Sequence, residues 1–134
     1  MTTKPRGFTL IELLITVAII GIIASVAYPS YVENIRQSKR KEAEAALVSF
    51  ANAMEMWKMQ NNNSYLGTTA AAVFGTTVPI SGGTTTYTLG FSTTTPPTAT
   101  TYTLEATPAG SDPTCGVLAL TNTGLKTPTT AGCW

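Results

Sequence analysis

The chain has 134 residues, 11% of them charged, with a formal net charge of +1, no histidine and two cysteines. Once about 28 residues are committed to an apolar N-terminal run, the remainder suffices for one small domain at the low end of independently stable size. The near-neutral charge gives no clear nucleic-acid site, and the lack of His and of metal-ligand or phosphate-cradling spacing argues against an enzyme, a metal or another cofactor.

The N-terminal stretch places Lys4 and Arg6 ahead of a run from Phe8 to Tyr28 whose one full charge is Glu12. At ~1.5 Å per residue this run is long enough for a ~30 Å hydrocarbon core, and the flanking cations predict a single span with its N-terminus cytoplasmic. Three readings compete: an uncleaved anchor, a secretory signal with Ser25-Val26-Ala27 as its cleavage site, and a processed, membrane-anchored precursor. Glu12 weighs against the signal peptide, because an ionisable group in a purely hydrophobic segment is costly and marks function. If the chain is cut between Gly7 and Phe8, a new α-amino group arises one helical turn from Glu12, and ammonium and carboxylate can neutralise one another within or between subunits.

Gly7-Phe8-Thr9-Leu10-Ile11-Glu12-Leu13 resembles the class III signal of type IV prepilins, and the likeness extends through Val17 to Ala24 and Tyr28-Pro29-Ser30-Tyr31. The resemblance implies cleavage after Gly7 by a prepilin peptidase, N-methylation of Phe8 and a role for Glu12 in subunit assembly. It also implies an inner-membrane precursor, then a filament of pilin subunits at the cell surface, built by an assembly platform and motor, with family roles in twitching motility, adhesion or DNA uptake. Gly21 and Pro29 lower helix propensity, and Pro29 crowds the carbonyl of Ser25; they predict a kink or weak segment, which in pilins allows the helix to lose order on packing. A plain curved membrane helix is the alternative.

From Ser30, Ala43, Ala46, Leu47, Phe50, Ala53, Met54 and Trp57 form one apolar stripe, so the helix is expected to continue to about Asn61, on the order of 80 Å from Phe8. Arg36, Lys39, Arg40 and Lys41 read as a solvated belt answered by Glu33, Glu42 and Glu44, or as a source of ion pairs between subunits or with headgroups. Asn61-Asn62-Asn63-Ser64-Tyr65 is a helix stop. The Asn62-Asn63-Ser64 glycosylation pattern is read as accidental.

Residues 62–86 are the expected αβ-loop, packed through Val73, Phe74, Val78 and Ile80. Tyr87, Leu89, Phe91 and Tyr102, Leu104, Ala106 predict two strands that cover the helix stripe, joined through Thr93 to Ala99. Pro108, Gly110 and Pro113 read as loop, Val117 to Thr121 as a third strand and Leu125-Lys126 as a short fourth. An oxidising destination favours a disulfide between Cys115 and Cys133, which would stabilise the small domain by about 3 kcal/mol. The threonines read as β-formers with solvated hydroxyls, or as O-glycosylation sites.

The expected fold is therefore α+β, the type IV pilin fold: one long N-terminal helix packed on a small antiparallel sheet of about four strands. Its parts are a leader (1–7), a membrane or filament-core half-helix (8–29) and a globular part (30–134). Cys115-Gly116, Cys133-Trp134 and the compact size point to a minor pilin of the PilE type; a major pilin, a type II secretion pseudopilin and a membrane-anchored binding module that does not polymerise are the alternatives.

Overall fold

A computed structural model describes residues 7–134; Lys4 and Arg6 of the expected leader lie outside the described residues. The chain forms two units, Met1–Ile35 and Arg36–Trp134. Helix α1, Leu10–Gln60, runs unbroken through Gly21 and Pro29. From Phe8 to Tyr31 the large apolar side chains are exposed, from 52% at Ile19 to 90% at Phe8, and a window of α1 long and apolar enough to cross a membrane has no residue buried among the described residues. A surface of that size must be covered by lipid or by other chains.

In the second unit α1 buries Arg40, Ala43, Ala46, Leu47, Phe50 and Met54. It ends in left-handed turns at Asn62 and Asn63 (φ 52° and 58°), where Asn63 N–H returns to the Lys58 carbonyl at 3.0 Å. A four-residue helix, α2, Ala70–Val73, follows, capped by the Thr69 hydroxyl on the Ala72 N–H. Five strands then form an antiparallel meander in the order β1-β2-β3-β4-β5: Thr77–Val78, Tyr87–Phe91, Thr103–Pro108, Leu118–Thr121 and Lys126–Thr127. Sequence reading gives about four strands; the fifth is the two-residue β1, and Pro108, expected in a loop, is the last residue of β3, paired with Tyr87. Pro is tolerated there because a strand end can spare the donor it lacks.

The register explains the alternation. Leu89 faces Ala106 and Leu104 faces Leu120, so Tyr87, Leu89, Leu104, Ala106, Leu118 and Leu120 all enter one core with the helix stripe. Phe50 stacks on Phe74 (centroids 5.5 Å apart) and meets Phe91 at the same distance. Both sheet edges are two-residue strands followed directly by proline, Pro79 and Pro128, which has no N–H with which to extend a ladder.

Glu55 gathers two buried tyrosines: the Tyr65 hydroxyl donates to its carboxylate at 2.6 Å and that of Tyr102 at 3.5 Å, with the rings edge to face. Burial first, then Glu55, pushes Tyr102 up to about 12 and Tyr65 well above its usual value; burial and the Asp112 charge push Tyr87 up to about 12. Phenols raised in the folded state contribute stability that is complete below their unfolded value, about 10, and is lost as pH rises through the folded values. At pH 11 the folded chain is expected to show tyrosinate absorbance lacking these three chromophores, which appear on denaturation. Unchanged absorbance on denaturation at that pH would overturn the assignment.

Candidate assembly site and its support

Gly7, Phe8 and Thr9 precede α1 in non-helical conformation and are exposed. A Cβ added at Gly7 would meet nothing within 4 Å, so nothing among the described residues crowds that position. Thr9 is the N-cap of α1 and Glu12 its reciprocal partner. The Thr9 N–H and hydroxyl both donate to the same Glu12 carboxylate oxygen at 2.8 Å, and the Glu12 N–H returns to the Thr9 hydroxyl at 3.3 Å. This is a capping box, and it satisfies donors that a helix start leaves without intrahelical partners. The single acidic group of the apolar run thus already has an occupation in the uncut chain. Sequence reading missed it, although Thr-x-x-Glu before an apolar run is its signature. The Thr16 hydroxyl adds a bond to the Glu12 carbonyl at 2.7 Å.

Gly21 and Pro29 both lie within α1, and a Cβ at Gly21 would also meet open space. The Ser25 hydroxyl turns to the Ile22 carbonyl at 2.7 Å, one turn before Pro29.

The charged belt divides. Lys41 pairs with Glu44 at 2.9 Å on the exposed face, a contact of small energetic weight. Arg40 departs from the expected solvated face: its side chain is 2% exposed, and it clamps the Asp112 carboxylate by Nη2 at 2.6 Å and Nε at 2.7 Å. Arg40 stands one step before Ala43 on the same stripe, so helical periodicity alone turns it inward. The hydrogen bonds from Arg40 hold the Asp112 carboxyl below the usual carboxylate range, against the opposite pull of burial and with help from the Cys115 N–H. Three residues on, Cys115 is bonded to Cys133 with Cα atoms 5.6 Å apart, as the sequence predicts. Beside this bond Trp134 donates its indole N–H to the Thr127 carbonyl at 3.0 Å and lies under the Lys126 ammonium, 5.0 Å from its ring centroid.

Residues 2–28 match the prokaryotic N-terminal methylation motif, and residues 29–119, more than half of the chain, match the family described as type IV minor pilin ComP, DNA uptake sequence receptor. The type II secretion system core protein G of Escherichia coli is 36% identical over 62 residues, which are 46% of this chain and 43% of that protein. The type IV major pilin protein PilA of Myxococcus xanthus is 48% identical over 52 residues, 39% of this chain and 24% of that protein. The matches thus span less than half the length of these curated relatives. A type IV pilin from Shewanella oneidensis superimposes with TM-score 0.53 and 27% identity over 73% of this chain and 96% of its own. The Neisseria meningitidis non-core minor pilin PilV does so with TM-score 0.54 over 73% and 90%, and at 17% identity it bears on the fold alone. An N-methylation motif leading into an exposed apolar helix, and a sheet domain matched by a pilin family model, make this chain a member of the type IV minor pilin family.

Proposed function

We propose that the chain is a structural subunit of a type IV pilus, made as a membrane-anchored precursor and cut between Gly7 and Phe8 by prepilin peptidase. Phe8 is then N-methylated, and the subunit is incorporated through the apolar half of α1, with residues 30–134 as the globular part. The observation that carries this is the apolar N-terminal half of α1, exposed throughout from Leu10 to Tyr31, whose one acidic side chain, Glu12, sits at its start. Before assembly lipid covers that surface; in a filament the same helices of neighbouring subunits do so. Glu12 then has a choice of partners, the Thr9 cap of its own helix or a Phe8 ammonium that exists only after cleavage. The assembly platform and motor, and any loss of helical order at Gly21 and Pro29 on packing, belong to the same proposal.

Mass spectrometry of the mature N-terminus tests the reading. The expected product begins at N-methylated Phe8. A mature chain beginning at Tyr28 would support secretion by signal peptide instead, and an uncut chain in cells with active prepilin peptidase would overturn the proposal.

DNA uptake is a second reading, carried by the description of the matching family. Burial of Arg40 against Asp112 removes one cation from those able to meet phosphates, so a DNA contact made by this chain would rest on few positive groups.

A further inference from the structure

The loop between β3 and β4 carries both Asp112 and Cys115, and three observations converge on it. Cys115 is 8% exposed and Cys133 fully buried, so a thiol in solvent has little access to the bond between them while the loop is closed. Asp112 organises the loop's turn: its Oδ1 accepts the Cys115 N–H at 3.2 Å and its carbonyl accepts the Gly116 N–H at 2.9 Å. The same carboxylate is held from outside the loop by Arg40 of α1, with the Tyr87 hydroxyl at 3.4 Å on its other oxygen. A helical residue whose side chain is 2% exposed cannot follow the loop if the loop opens.

We propose that the Arg40–Asp112 ion pair guards the Cys115–Cys133 bond, and that pair and bond form one redox-sensitive latch. While the pair is made, the loop shields the sulfurs from thiols. While the bond is oxidised, Asp112 is kept where it neutralises Arg40. A dithiol reductant attacks one sulfur and displaces the other as a thiolate. The resulting mixed disulfide resolves to two protein thiols and the cyclic disulfide of the reagent. The released loop then withdraws the Asp112 carboxylate from a guanidinium whose side chain is 2% exposed, so reduction opens more than the loop. By linkage, whatever the bond contributes to the pair, the pair contributes to the bond. The unit Arg36–Trp134 therefore closes fully only in an oxidising compartment, a consequence that holds whether or not the chain enters a fibre.

The test follows thiol appearance in the full chain in detergent micelles under dithiothreitol, by alkylation and mass spectrometry, below the unfolding transition. Asp112→Asn keeps the loop's shape and removes the charge. It is expected to be reduced about tenfold faster than the parent, through local opening. Leu89→Ala, in the core away from the loop, serves as a control, with a low concentration of urea used to match its global stability to that of Asp112→Asn. At matched stability Asp112→Asn is expected to be reduced faster; equal rates would overturn the guard. In the second arm, reduction is expected to lower the unfolding midpoint of the parent more than that of the Arg40→Met/Asp112→Leu double variant. Equal shifts would overturn the latch.

Discussion

Arg40→Met is expected to bring the Arg36–Trp134 unit close to unfolding, while Arg40→Met/Asp112→Leu, which removes more polar groups, is expected to be better tolerated. The single change leaves the Asp112 carboxylate, with its side chain 4% exposed, without the guanidinium that clamps it at 2.6 Å. Breaking a buried pair from one side costs about 3–5 kcal/mol, against a typical total stability of roughly 5–15 kcal/mol for a whole domain. Replacing both partners with apolar groups removes the stranded charge. What remains is the Cys115 N–H, now without its acceptor at about 1–3 kcal/mol, and the Tyr87 hydroxyl, which loses a longer bond of 3.4 Å. Chemical denaturation of parent, both single variants and the double closes the cycle.

The pH dependence separates charge from packing. In the parent, the folded Asp112 carboxyl is depressed below its unfolded value. Its contribution is therefore present above the ordinary carboxylate range and is lost as pH falls through the folded value. In Arg40→Met the buried carboxylate has lost the partner that depressed it, so acid relieves the defect and the gap between variant and parent narrows as pH falls. A gap that is constant with pH would mean that lost packing of the Arg40 side chain, and not the stranded charge, is responsible.

Why the sequence revealed one half of this pair and concealed the other follows from range. Arg40, Ala43, Leu47, Phe50 and Met54 are spaced three and four apart, and the structure buries all five. The inward turn of Arg40 was thus open to a reading that followed periodicity rather than charge. Asp112 is 72 residues away, in a loop whose composition carries no period, and only the folded sheet brings it to the helix. The strands β2, β3 and β4 were legible because one face is buried and a period of two survives in Tyr87, Leu89, Phe91, in Leu104 and Ala106, and in Leu118 and Leu120. Strand β1 was not. Its two residues have no pattern of their own, and they are strand because Thr77 and Val78 pair with Thr88 and Tyr87. At the candidate assembly site Glu12 was legible as the lone charge in an apolar run. Its bond to Thr9 is equally local, carried by the Thr-x-x-Glu spacing, whereas the ammonium at Phe8 with which the sequence reading pairs it exists only after cleavage.

Glu12→Leu is expected to remove the chain from surface fibres while leaving the Arg36–Trp134 unit folded. The substitution makes the membrane segment more apolar, so retention of the precursor in the bilayer should not suffer. What it removes is the only anion that a Phe8 ammonium can meet in the run from Phe8 to Tyr28. A charge-assisted bond between chains, made where lipid and neighbouring helices exclude water, is strong enough that incorporation should fall about tenfold or more. Thr9→Val separates the two occupations of Glu12. It deletes the hydroxyl that donates to the carboxylate at 2.8 Å and accepts from the Glu12 N–H, but it spares the carboxylate itself. If the cap holds Glu12 in waiting, this variant keeps incorporation near the parent level although its helix start is weakened; if Thr9 must position the carboxylate for its neighbour, it falls with Glu12→Leu. Both are measured by shearing fibres from cells and quantifying the subunit in fibre and membrane fractions. Migration on non-reducing gels reports the Cys115–Cys133 bond as the check on folding. Normal incorporation of Glu12→Leu would remove the assembly role from Glu12 and leave the carboxylate as a helix cap alone.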